Sequence, residues 1–454
     1  MDPLFNTILG VVFLGLGVAA TVIMYRLRGA VVRPKPAAGV VTSEVEEEYL
    51  AAWHRPTDEL ETHMAEIHAM AESGQSIIEP MRTREKTISW NDLLIKGAQL
   101  AKQPLNEDQP VTTETIIGPA AAHPLVIDTP IFVTHMSFGA LSREIKMALA
   151  KGSAAVKTAI CTGEGGILED ELAAAYKCIF EYVPNQYSVS DESLRRVDAI
   201  EIKIGQSAKP GMGGLLPGNK VTDEIAAVRN RPKGVDIHSP AHFEDIRTPE
   251  DLKQKVLWLR EMSGGKPIGV KLAAGDIEAD LRFALAAGPD FITLDGRAGA
   301  TGAAPKVIKD ATSIPTLFTL CRARKFLDES GAKDVSLVIT GGFRISSDFA
   351  KALALGADAV AIGTAALMAA GCQQYRICNT GRCPIGITSQ DPQLRARLKV
   401  DKSAQRLANV LRVYTEELKS FARLTGNNDV HALSIDDLST TNSEISGHTE
   451  IEHV

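Results

Sequence analysis

Residues 290–305 read DFITLDGRAGATGAAP. The first part, 290–295, is a short β-branched and aromatic run of strand type, and the second, 296–305, is a glycine-rich loop. The same strand-then-loop unit recurs along the chain from about residue 125. Further strand candidates are 131–136 (IFVTHM), 157–162 (KTAICT), 185–190 (NQYSVS), 198–204 (DAIEIKI), 267–273 (PIGVKLA), 335–340 (VSLVIT) and 358–363 (DAVAIG), with helical stretches between them. Strands alternating with helices argue for βα units on a parallel sheet, and eight of them predict an α/β fold of the (β/α)8 TIM-barrel type.

In such a barrel the chemistry sits on the loops that leave the carboxyl ends of the strands. Those loops read SFGALS (137–142), GEGG (163–166), GQSAKPGMGG (205–214), GRAGATGAAP (296–305), GGFR (341–344) and GTAAL (363–367). One glycine loop is an ordinary tight turn, but six on one face let backbone amides close on a ligand. Gly341 and Gly342, with Gly363 and Thr364, follow the seventh and eighth strands, where many barrels hold a phosphate. A phosphate-bearing cofactor is expected, and flavin mononucleotide (FMN) fits best. No Walker A motif occurs and no G-x-G-x-x-G follows a strand in a βαβ setting, so the chain is not expected to carry a nicotinamide site of its own.

Three of the six cysteines fall in residues 371–386, GCQQYRICNTGRCPIG. Cys372, Cys378 and Cys383 are spaced C-x5-C-x4-C, with Pro384 after the last. Thiolates this close usually hold metal, and three ligands favour an incomplete iron–sulfur cluster such as 3Fe–4S. The alternative is that they are small buried hydrophobes. Zinc fits less well, because no fourth Cys or His lies nearby.

The 454 residues suffice for a barrel with extensions, and 44% hydrophobic residues with 37 glycines suit an α/β protein. A net charge of −7 gives no nucleic-acid signal. Residues 4–25 carry no charge and form a run long enough to cross a hydrocarbon core of ~30 Å as a helix. A cleavable signal peptide would need a positive segment ahead of that run, whereas only Asp2 precedes it, and Arg26, Arg28, Arg33 and Lys35 follow. The expectation is a single-pass anchor in the inner membrane with the catalytic part in the cytoplasm. The expected organisation is a transmembrane anchor (1–29), a linker and helical N-terminal extension (30–124), a barrel domain (125–400) that includes the cysteine loop, and a helical C-terminal extension (401–454). In the last, a helix over 403–424 should end at Gly426.

The strings HMSFGALS (135–142), TGEGG (162–166), EIKIGQSAKPGMGGLLPG (201–218), SPAHFEDI (239–246), GVKLAAG (269–275), DGRAGATGAAP (295–305) and GCQQYRICNTGRCPIGITSQDPQLR (371–395) carry a resemblance. Over about residues 80–454 the chain resembles the FMN-binding synthase domain of glutamate synthase, in the form of the short archaeal-type large subunit. The resemblance implies a barrel that binds FMN and a 3Fe–4S cluster and reductively aminates 2-oxoglutarate to L-glutamate. It implies that Cys372, Cys378 and Cys383 hold the cluster. It places Met136, Ser137, Gly139, Thr162, Lys271, Gly341, Gly342, Gly363 and Thr364 around FMN, and Glu201, Lys203 and Lys271 at 2-oxoglutarate.

These residue types suit the chemistry. A dicarboxylate needs cations, and Lys203, Lys209 and Lys271 stand at or beyond strand ends. Glu201 is a candidate acid/base or a structural partner of Lys203, and His135 and His242 are either site residues or hydrogen-bonded core. Met212 departs from the pattern, standing where the large bacterial enzymes carry Glu. The first cysteine is Cys161, so no amino-terminal nucleophile for glutamine hydrolysis is expected, and no ferredoxin-type cysteine run occurs. Ammonia and electrons are expected from a separate glutamine amidotransferase subunit and an electron-donor subunit that uses NADPH or ferredoxin. Two alternatives stay open: an amine-forming flavoenzyme of the N-methylglutamate synthase type, and a membrane electron-transfer flavoprotein.

Overall fold

The computed structural model describes residue 55 and residues 57–454. The expected anchor (1–29) and the first part of the expected linker and helical extension (30–124) lie outside them. Among the described residues no helix is long and apolar enough to cross a membrane. The chain divides into two units, Met1–Ile77 and Ile78–Val454. In the first, the helix Met64–Ser73 ends on Gly74, whose φ of 63° is the left-handed cap that glycine tolerates, and none of the helix's residues is buried.

In the second unit eight parallel strands close a barrel in chain order. They are β1 (Ile131–Val133), β2 (Ala159–Cys161), β3 (Lys177–Tyr182), β4 (Ala199–Lys203), β5 (Ile268–Ala273), β6 (Phe291–Asp295), β7 (Ser336–Thr340) and β8 (Ala359–Ile362). Strand period two sorts their side chains. Ile200, Ile202, Val270, Ile292 and Ile339 join the core shared with the helices. Phe132, Cys161, Ile179, Ala199, Phe291, Val338 and Ala359 form a second apolar cluster, the filling of the lumen. Gly269 makes that filling possible, because a Cβ there would sit 2.2 Å from the Phe291 ring. The antiparallel hairpin Thr115–Ile117 and Leu125–Ile127 adds Ile117, Leu125 and Ile127 to the same cluster.

The helices that follow the strands include α1 (Arg143–Ala154), α2 (Glu169–Ala174), α3 (Asp191–Arg196), α4 (Pro249–Met262), α5 (Ile277–Ala286), α6 (Thr316–Glu329), α7 (Ser346–Ala354) and α8 (Thr364–Ala370). Outside them lies α9 (Val400–Leu424), the helix expected at 403–424, whose buried stripe includes Leu407, Leu411 and Leu418. It packs on α1, α7 and α8. At Gly152 the α1–α9 crossing is so close that a Cβ would meet the Ala404 carbonyl oxygen at 2.8 Å and Leu407 Cβ at 2.9 Å.

Seven strand candidates fall on barrel strands, and one needs correction. The third strand is 177–182, not 185–190. Gln186 and Ser188 take φ of 52° and 57°, which no strand residue can, whereas 177–182 alternates Cys178, Phe180 and Tyr182 outward with Ile179 and Glu181. The extensions also differ from the helical expectation. Leu438–Thr440 pairs with Leu93–Ile95 and with Glu452–His453 in a three-stranded sheet that joins the two ends of this unit.

The close crossing yields a stability prediction. Leu407→Ala should cost about 2–5 kcal/mol, and Gly152→Val should destabilise through overpacking. Urea unfolding would measure both, and a cost under half a kilocalorie for Leu407→Ala would contradict this packing.

Candidate active site

Strand register assembles the floor of the site. Glu181 on β3 lies opposite Glu201 on β4, and Lys271 on β5 lies opposite Lys203 on one side and Thr293 on the other. Glu181, Glu201 and Lys271 are all buried. Lys271 Nζ stands 3.2 Å from Glu181 Oε1. Glu201 pairs with His135 Nε2 and accepts a hydrogen bond from the Thr293 hydroxyl. Burial alone would strip Lys271 of its proton, but Glu181, Glu201 and Asp295 outweigh it and hold the ammonium above the ordinary lysine range. Burial likewise works against the Glu181 carboxylate, and Lys271, Lys203 and His135 reverse it. His135, Glu181 and Glu201 bring one ligand atom each within 4.8 Å of one another, a composition able to hold a metal ion. In this arrangement Lys271 supplies the cation.

Above the floor opens a cavity of about 610 Å³ lined by the strand-end loops. Lys203 reaches into it and ion-pairs with Glu164. Burial would raise the Glu164 carboxyl, but Lys203, Lys209 and Arg229 draw it down to about 2. Of the residues expected from the sequence, Met136, Ser137, Lys203, Lys271, Gly341, Gly342, Gly363 and Thr364 line this cavity, and Lys209 and His135 join them. Glu201 sits behind His135. Gly139 and Thr162 stand off the lining. A Cβ on Gly139 would meet Leu216 and Arg229. The Thr162 hydroxyl bonds inside the wall, to the Gly163 carbonyl and the Glu181 amide. Buried Lys146 clamps both neighbouring loops, donating to the Met136 and Thr162 carbonyls at 2.7 and 2.9 Å while paired with Glu171.

Beside the cavity a small void is lined by Cys372, Cys378 and Cys383 with Leu367, Ile377, Ile385 and Ile387. Met81, Leu367, Cys378 and Thr388 line both spaces and form the wall between them. Burial pushes the Cys372 and Cys378 thiols up, and the three thiolates would repel one another. Met81, at a φ of 69°, places Sδ 3.8 Å from Cys378 Sγ. It ends a short strap across the cavity mouth. Ile78 and Glu79 pair with Pro305 and Ala304, and the Met81 amide donates to the Thr301 carbonyl at 2.8 Å.

Glu181, Glu164 and Met81 escape the sequence reading. Glu181 is missed because its strand is displaced, although the alternation in KCIFEY could have shown it. Glu164 lies in a loop read only for its glycines. For Met81 no local signal exists, because its partner Cys378 is 297 residues away.

A closed parallel barrel with a cavity rich in cations and glycine over its strand ends defines an α/β-barrel enzyme. A family model described as a conserved region in glutamate synthase matches residues 62–428. A glutamate synthase large subunit-like protein of Rhizobium meliloti (strain 1021) is 39% identical over 408 residues, 86% of this chain and 92% of that protein. An archaeal-type NADPH glutamate synthase of Thermotoga neapolitana is 40% identical over 74% of this chain and 67% of its own, and an archaeal NADPH glutamate synthase of Methanocaldococcus jannaschii 42% over 68% and 61%. The chain belongs to the glutamate synthase family and is an oxidoreductase. Among solved structures a chimera of (S)-mandelate dehydrogenase shares the fold, with a TM-score of 0.51 and 16% identity over 77% of this chain and 88% of that one.

The Glu164 carboxylate carries a pH signature. Its folded pKa of about 2 lies below the unfolded value of 4.5, so its contribution to stability is complete above pH 4.5 and disappears as pH falls through 2. Glu164→Gln leaves Lys203 without its partner and should cost about 3 kcal/mol at pH 7. The gap between variant and wild type should close as pH falls from 4.5 toward 2. Urea midpoints across that range test it, and a constant gap would refute it.

Proposed function

We propose that this chain is the synthase subunit of a glutamate synthase, which converts 2-oxoglutarate, ammonia, two electrons and two protons to L-glutamate and water. The observation that carries this reading is the common wall of Met81, Leu367, Cys378 and Thr388, which sets a three-thiol void directly against a barrel cavity lined by four lysines, Lys203, Lys209, Lys220 and Lys271. The fit to FMN rests on the cavity's size and its glycine edges. Gly341, Gly342 and Gly363 line it, and without side chains they leave backbone open to a ligand. Backbone at Gly341, Gly342, Gly363 and Thr364 would take the phosphate, with Met136 and Ser137 along the ring. The fit to a 3Fe–4S cluster rests on the donor set, three thiols lining one largely apolar void.

When bound, FMN supplies hydride and the cluster relays single electrons to it. The protein does the rest. Lys203 and Lys271 hold the carboxylates of 2-oxoglutarate as fixed charges, because neighbouring acids keep Lys271 protonated. Ammonia adds to the keto carbon, and loss of water to form the iminium needs a proton on the departing hydroxyl. His135, which lines the cavity with Glu201 behind it, is placed to give that proton. Ammonia from a glutamine amidotransferase subunit and electrons from an NADPH-dependent or ferredoxin donor subunit complete the cycle. The uncharged run 4–25, followed by Arg26, Arg28, Arg33 and Lys35, supports a single membrane anchor with the barrel in the cytoplasm.

The deciding assay gives the anaerobically purified, reduced protein 2-oxoglutarate and nitrogen-15 ammonium. Labelled glutamate is the expected product, and its absence from protein carrying both cofactors would overturn the reading. Lys271→Met should lower kcat/KM for 2-oxoglutarate about tenfold to a hundredfold, the loss of a charge-assisted contact. Cys378→Ser should lose iron, which metal analysis reads directly.

A further inference from the structure

Lys220 differs from the other buried lysines of the barrel unit. Lys146 pairs with Glu171, Lys271 with Glu181 and Lys309 with Glu79. Glu164 faces Lys209 and Asp348 faces Lys351. Lys220 is only 7% exposed, yet among the described residues no carboxylate pairs with it. Its Nζ donates to the Cys378 carbonyl at 2.9 Å. Its stem runs along the cysteine loop, where a Cβ on Gly381 would sit 3.0 Å from Lys220 Cε. A buried ammonium without a counter-charge is costly, and this one is tied to the backbone of Cys378, whose side chain lines the three-thiol void.

We propose that Lys220 is the counter-charge of the iron–sulfur cluster and sets its reduction potential at the cavity wall. The inference rests on the cluster assignment above. Three thiolates make the cluster site anionic, and adding an electron makes it more so. A fixed ammonium at low dielectric therefore favours the reduced form over the oxidised form and raises the potential. Cys378 is the ligand that also walls the cavity, so the charge acts where electrons would cross toward the flavin. Lys220 also lines the barrel cavity, but in this role it is a positioning residue that acts through the cluster and not by contact with substrate.

The test compares Lys220→Gln, which keeps a donor for the Cys378 carbonyl and loses the charge, with Lys220→Arg, which keeps both. Each full-length protein is prepared without air, its iron is counted, and its cluster is titrated with dithionite and mediators under electron paramagnetic resonance. Lys220→Gln should retain iron and shift the reduced-to-oxidised ratio about tenfold toward oxidised, about 59 mV downward for one electron. Lys220→Arg should stay near wild type. Loss of iron from Lys220→Gln alone would also support the charge role. Equal potentials in wild type and Lys220→Gln, or iron loss from both variants, would overturn it by making Lys220 a purely structural tie. A wild-type protein without a cluster signal would refute the cluster assignment itself, and this inference with it.

Discussion

The ammonium of Lys271 among the carboxylates of Glu181 and Glu201 is the constraint to which the upper barrel is built. Register places the two glutamates side by side on adjacent strands, and two buried carboxylates at that spacing cannot both ionise without a cation between them. Lys271 and His135 supply the compensation. Buried ion pairs add little net stability compared with apolar packing. A barrel that keeps one here spends folding energy on a preorganised, charged floor.

That floor is possible because stability comes from below. The lumen beneath it is filled by Phe132, Phe291, Val338 and their neighbours, with the 115–127 hairpin contributing to the same cluster. The two layers lie one strand period apart: Ile179 belongs to the packing and Glu181 to the chemistry, as Ala199 does to the packing and Glu201 to the chemistry. A one-residue slip of β3 would turn both Ile179 and Glu181 out of the lumen and bring Phe180 and Tyr182 in.

Much of this was legible in the sequence because it is local. β-branched runs, glycine loops and the C-x5-C-x4-C spacing are each contained within a few residues, and they located most of the barrel strands and cavity loops. What was hidden is long-range or short of signal. The third strand was passed over because Glu181 and Lys177 make KCIFEY look polar, while NQYSVS offers a β-branched residue in a segment that actually turns. Short strands such as Leu93–Ile95 and Leu438–Thr440 exist only through each other, 343 residues apart between Ile95 and Leu438, and no periodicity announces them. Met81 and Lys220 owe their positions to contacts with the cysteine loop that composition cannot encode.

The strap at Ile78–Met81 is laced to the 296–305 loop by strand pairing and to the cysteine loop by Asn379, whose side chain donates to the Ile78 carbonyl. Both edges of the ribbon are therefore tied to loops of the cavity wall. Met212 and Leu215, which line the same cavity, stand open to solvent. At Met212 the solvent-facing edge of a cavity lined by four lysines carries a thioether, which sets no charge of its own against theirs.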